Sequence, residues 1–95
     1  MYARLVTGSI LPDKLDEAVD LWFDSVAPSV KQQKGFKSAR LLVDRKTGKI
    51  ASMGLWETEG DLLGSVQWNQ ERLAKFLGLF PVAPIVGNYE LVAEI

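Results

Sequence analysis

The sequence predicts an α+β fold, a ferredoxin-like β-α-β-β-α-β plait whose four-stranded antiparallel sheet carries two helices on one face. Three observations carry this expectation. Residues 2–10 (YARLVTGSI) and 86–95 (VGNYELVAEI) are rich in strand formers. Residues 35–58 (GFKSARLLVDRKTGKIASMGLWET) read as two strands joined by a Gly-containing turn. Between these strands lie two stretches with apolar residues at intervals of three and four, the period of an amphipathic helix. Right-handed crossovers then fix the topology and leave one face of the sheet bare.

The first strand must stop at Leu11-Pro12, and Asp13 opens the first helix. Leu15, Ala18, Val19, Trp22, Val26 and Val30 form its apolar stripe, with Leu21 off it. Pro28 lacks an N–H, so a kink or a broken last turn is expected there, and Gly35 stops the helix. The hairpin runs 36–44 and 49–57, with Lys46-Thr47-Gly48 as its turn. Pairing Asp44 with Lys49 puts Lys37, Ala39, Leu41, Val43, Ile50, Ser52, Gly54 and Trp56 on one face. Phe36, Ser38, Arg40, Leu42, Ala51, Met53, Leu55 and Glu57 then share the other. Thr58 and Asp61 resemble a capping box for the second helix, whose stripe is Leu62, Val66, Leu73, Leu77 and Phe80. An interruption is expected near Gly60 or Gly64, and Pro81 and Pro84 break the chain before the last strand at 86–95.

Composition narrows the function classes. A chain of 95 residues that is 47% hydrophobic is read as one domain, 1–95, able to bury a core. A net charge of −1 argues against a nucleic-acid or anionic-membrane partner. No run approaches the roughly 18 apolar residues of a membrane span. The opening MYARLVTGSILPDK lacks a signal-peptide layout, and a cytoplasmic location is the expectation. With no Cys and no His, there is no thiol nucleophile, no catalytic imidazole and no Ser-His-Asp set. Both hairpin faces carry apolar residues, so the bare face calls for a partner, and a second copy of the sheet is the economical one.

The hairpin GFKSARLLVDRKTGKIASMGLWET, with a helix behind Trp56, resembles the antibiotic-biosynthesis-monooxygenase-like family of dimeric α/β-barrel proteins. The similarity spans the whole element order and is most specific in LLVDRKTGK and LWET. It implies a homodimer whose sheets face each other as a barrel, with a small pocket between each sheet and its own helices. It also implies oxidation of polyketide-type aromatic substrates by molecular oxygen without metal or flavin, or the binding and degradation of haem; many members have no known activity. In the haem-degrading members a histidine about two and a half helical turns after the LW motif binds the iron, and that place falls on or near Ser65. Because the chain has neither His nor Cys, haem is disfavoured and no cofactor or metal is expected.

Candidate site residues follow from the same pattern. Trp56 shares its face with the small residues Ala39, Ser52 and Gly54, and Trp22 lies above them; this reads either as large-on-small packing or as a cavity walled by indoles. Asn69 sits amid the second stripe, beside Val66. An amide facing the core must find hydrogen bonds or cost about 1–3 kcal/mol, so it is either a substrate-oxygen donor or a bond to a cap or loop carbonyl. Tyr89 and Tyr2 are the only phenols. Either fits proton exchange with a phenolic substrate or strand-end packing. Trp68 and Arg72 fall off the stripe and read as an interface or pocket mouth. Arg4 and Arg40 need a carboxylate or an anionic ligand, and salt bridges to Glu90 and Glu94 at a dimer interface are the plainer reading. Acid–base work would fall to Glu57, Glu90 or a Tyr.

Two functions therefore stand: a small-molecule enzyme of the cofactor-independent monooxygenase kind, and a non-catalytic homodimer that binds a small apolar or aromatic ligand or a partner protein. An amino-acid-binding regulatory domain of like topology is normally joined to an enzyme. An RNA-recognition module needs stacking aromatics in a basic setting, which KIASMGLW lacks.

Overall fold

The computed structural model describes residues 1–95. Strand β1 (Tyr2–Ser9) runs into a 3-10 turn at Pro12–Lys14 and helix α1 (Leu15–Leu21). A π-helical turn, Trp22–Val26, links α1 to α2 (Ala27–Val30). The hairpin follows as β2 (Phe36–Asp44) and β3 (Lys49–Trp56), then α3 (Glu59–Gly64), α4 (Val66–Ala74), a 3-10 turn at Leu77–Leu79 and β4 (Ile85–Glu90). The sheet order is β2-β3-β1-β4, every neighbour antiparallel, as the predicted plait requires. No helix is long and apolar enough to cross a membrane.

The π turn is the local answer to Pro28. Proline cannot donate a helical hydrogen bond, and just ahead of it the ladder widens: Ala27 N–H bonds Trp22 C=O, five residues back. The Ser29 hydroxyl donates to the Ser25 carbonyl at 2.7 Å, supplying a partner inside the same turn. At the second crossover, Thr58 caps α3 by accepting from Asp61 N–H at 3.0 Å. The helix then breaks at Ser65 (φ −95°, ψ 1°), one residue beyond the expected Gly64.

The hairpin keeps the expected register from Asp44↔Lys49 back to Ser38↔Leu55, but not beyond. A bulge between Phe36 and Ser38 makes Lys37 the extra residue, so the expected assignment of Phe36 and Lys37 is reversed. Phe36 packs edge-to-face on Trp56 with ring centroids 6.2 Å apart. Lys37 is exposed and pairs with Glu57 at 2.6 Å. Strand β4 also ends earlier than expected. Tyr2 pairs with Glu90, so a chain continuing past Glu90 has only Met1 to bond; Leu91 N–H takes the Met1 carbonyl at 2.8 Å and the ladder stops.

Two apolar clusters form the layer between sheet and helices. One holds Ile10, Leu15, Ala18 and Ile50, flanked by Phe80; the other holds Val30, Trp56 and Leu62, flanked by Trp68. On the opposite sheet face Leu42, Ala51, Thr7 and Ile85 make one cross-strand row. Leu42 and Ile85 are 56% and 73% exposed there, whereas Leu55 and Ala3 farther along the same face are buried, so the chain alone leaves the Leu42–Ile85 end uncovered.

Candidate functional site

Between the two clusters lies a cavity of about 70 Å³, floored by the helix-side face of the sheet and roofed by the helices. Its floor comes from Arg4 and Val6 on β1 with Ala39, Ser52, Gly54 and Trp56 on β2 and β3. These are neighbours because Arg4 pairs with Gly54 and Gly54 with Ala39 across the central strands. Gly54 is required here: a Cβ would lie 2.6 Å from the Trp56 ring, so the indole lies where only glycine leaves room. The first helix supplies Trp22 and Val26 from the π turn; α4 supplies Trp68, Asn69 and Arg72. Two indole hydrogen bonds fix the roof in place. Trp22 Nε1 donates to Ser52 Oγ at 3.1 Å, and Trp68 Nε1 donates to Ser29 Oγ at 2.9 Å.

The electrostatics of the lining are one-sided. Arg4 is only 3% exposed. Its guanidinium donates to Ser65 Oγ and to the Leu62 carbonyl, each at 3.0 Å, and stacks 5.0 Å from the centre of the Trp56 ring. No carboxylate pairs with it, and burial lowers its pKa from the usual arginine value. Arg72 is the second cation; its Nε is buried without an acceptor, and Trp56 Nε1 is likewise without one. No Asp, Glu or Tyr lines the cavity.

The structure thus brings Trp22, Trp56, Asn69, Ser52, Gly54 and Ala39 to one cavity, while Val66 and Tyr89 lie outside it. Tyr89 is on the other sheet face, lying over Gly87, where a Cβ would meet its ring at 2.8 Å. For Trp56 both sequence readings hold, since it is 1% exposed core and cavity wall together. The side-chain amide of Asn69 caps nothing; its backbone N–H makes the first helical bond of α4, to Ser65. Trp68 and Arg72, read as an interface or a pocket mouth, lie at the cavity. They line the cavity because the break at Ser65 turns α4 relative to a continuous helix, so 68, 69, 72, 73 and 76 face inward. Arg4 is a correction, bonded under α3 instead of to Glu90 or Glu94. The signal for Arg4 was its spacing of two from Val6, which puts both on one face; for Arg72 it was its spacing of three from Asn69.

Ser65, where the resemblance places an iron-binding histidine, is buried, with its hydroxyl donating to Leu62 C=O at 2.7 Å and accepting from Arg4.

Fold and cavity define the class: an antiparallel plait with an apolar, cation-bearing pocket between its sheet and its helices. Scans of family models and of curated proteins find no match. Solved structures match throughout. The monooxygenase from the gene ActVA-Orf6 of Streptomyces coelicolor, determined in complex with nanaomycin D, superposes with a TM-score of 0.81 at 18% identity, over 99% of this chain and 89% of that one. A structure described as an antibiotic biosynthesis monooxygenase gives 0.74 at 17% identity, over 98% and 100%. A protein of unknown function from Nitrosomonas europaea gives 0.79 at 14%, over 99% and 91%. The chain therefore has the fold of the antibiotic-biosynthesis-monooxygenase-like proteins, as its hairpin implies.

Proposed function

We propose that this protein is a monooxygenase of the antibiotic-biosynthesis type that binds a small aromatic molecule in the cavity and oxidises it with molecular oxygen, using no metal or organic cofactor. The observation that carries the reading is an apolar space walled by three indoles, into which Asn69, Ser52, Arg4 and Arg72 bring polar groups. In the reaction, an acidic CH₂ of an electron-rich aromatic substrate gives its proton to solvent water, since no lining side chain accepts it, and the resulting carbanion adds to oxygen. The protonated hydroperoxide then loses water to leave a carbonyl, so one oxygen atom enters the product and the other leaves as water. Asn69 serves as a donor to the developing oxyanion, since its amide has no partner among the side-chain hydrogen bonds. At about 70 Å³ the cavity is smaller than the ~150 Å³ that admits benzene in an engineered apolar core, so entry requires Trp22 or Trp68 to swing from its serine.

The second reading is a homodimer that binds such a ligand without turning it over. One observation favours it: no lining side chain accepts a proton near neutral pH. Oxygen uptake with anthrone or quinol substrates separates the two. The enzyme reading expects protein-dependent uptake that falls about a hundredfold or more in Asn69→Ala, the scale of one lost oxyanion donor. Saturable binding with no uptake leaves the second reading.

A further inference from the structure

The lining carries two guanidinium groups, Arg4 with only neutral acceptors and Arg72 with only its helix neighbour Glu71 at 3.6 Å. The chain's other ion pairs lie elsewhere, at Lys14–Glu17, Lys37–Glu57 and Arg45–Asp16. Arg4 is buried among neutral acceptors. A buried cation without a counter-charge is costly, and an anion brought beside it in a low-dielectric space is held strongly. Arg72 Nε remains a buried donor without an acceptor. The same lining has no carboxylate, imidazole or phenol, so nothing in it removes a proton from a neutral guest.

From these observations together we infer that the cavity takes up its ligand as a preformed organic monoanion, a flat aromatic whose single acidic oxygen is already ionised, paired with Arg72 and with the field of Arg4. This rests on the cavity being the ligand site, and it deepens that reading by naming the charge state selected. Ionisation happens in solution; the protein supplies the counter-charge and the dry walls. The pH profile of binding then follows the ligand's own acidity, shifted downward in the complex because the cations favour the charged form.

The test uses the full chain with 4-nitrophenol, whose visible absorbance reports ionisation, and 4-nitroanisole, a neutral analogue of similar shape. Above the phenol's pKa, the phenolate binds roughly tenfold or more tighter than the anisole, the size of one charge-assisted hydrogen bond. The bound dye keeps its phenolate absorbance at pH values where the free dye has lost it. In Arg72→Gln the ratio of phenolate to anisole affinity collapses, and Arg72→Lys restores part of it. Arg4→Gln lowers the preference further if it folds, and the Arg72 series stands without it. Equal affinities for the two dyes overturn the inference and leave the ligand site intact. Failure of both dyes to bind up to solubility overturns the inference and the site together.

Discussion

Gly54 and Trp56 make the cavity floor as a pair, two residues apart on one face of β3, with the indole folded back over the glycine. A methyl at position 54 would sit 2.6 Å from that ring, inside any tolerable contact. Gly54→Ala is therefore expected to displace the indole and cost about 1–3 kcal/mol, read as a lower urea midpoint with an unchanged m-value. The side chains that close the roof make a different prediction. Trp68→Ala removes the indole and its bond to Ser29, and binding of a bicyclic probe such as 1-naphthol is expected to tighten despite lost stability of about 3–5 kcal/mol. Isothermal titration beside a melting curve checks both signs. At this scale the sequence located most of the floor, because strand alternation depends only on register. It did not show whether the indole packs or leaves space, since that depends on where helix residues from other parts of the chain come to rest.

The hairpin turn and the bulge set the pH response at the level of elements. Asp44 Oδ1 accepts from Lys46 N–H at 3.0 Å and from Thr47 N–H at 3.4 Å. These bonds, the Lys46 one foremost, hold its carboxyl below the ordinary value of 3.8. Glu57 lies below its ordinary 4.5 through its hydrogen bond to Lys37. Folding favours the ionised forms of both, so their contribution is complete above the unfolded pKa values and is lost as pH falls through the lower folded ones. Stability from these two groups is thus level from neutrality down to about pH 5 and declines below about pH 4. Asp44→Asn should show a smaller fall in Tm between pH 5 and pH 3 than the unmodified chain. The hairpin was legible to the residue as far as Ser38 because its turn chemistry is local. The bulge at Lys37 and the rotation of α4 were not. Both arise where one element meets another: Phe36 turns inward onto Trp56, and the helix is remade at Ser65 around Arg4.

Over the whole molecule, the plait follows from the order of strand and helix patterns and the handedness of crossovers, and the structure has that topology. What no pattern supplies is the size of the space between the layers, because a cavity of about 70 Å³ is the small difference between large packed volumes. The uncovered face, with Leu42, Ile85 and Tyr89 at 56%, 73% and 56% exposure, leads us to propose a homodimer joined sheet to sheet. Leu42→Glu changes little in the monomer, where the side chain is largely in water, but places a charge in that interface. Sedimentation velocity at micromolar concentration is expected to give a dimer for the unmodified chain and a monomer for Leu42→Glu, with thermal stability of the monomer fold retained.

Oxygen consumption in metal-chelated buffer, with anthrone as substrate and purified protein free of added cofactor, tests the proposed activity most directly. The expected result is uptake proportional to protein, one oxygen per carbonyl formed, falling about a hundredfold or more in Asn69→Ala and clearly in Arg72→Gln while both variants stay folded. Uptake no faster than in protein-free buffer, or equal in all three proteins, would contradict catalysis in this cavity.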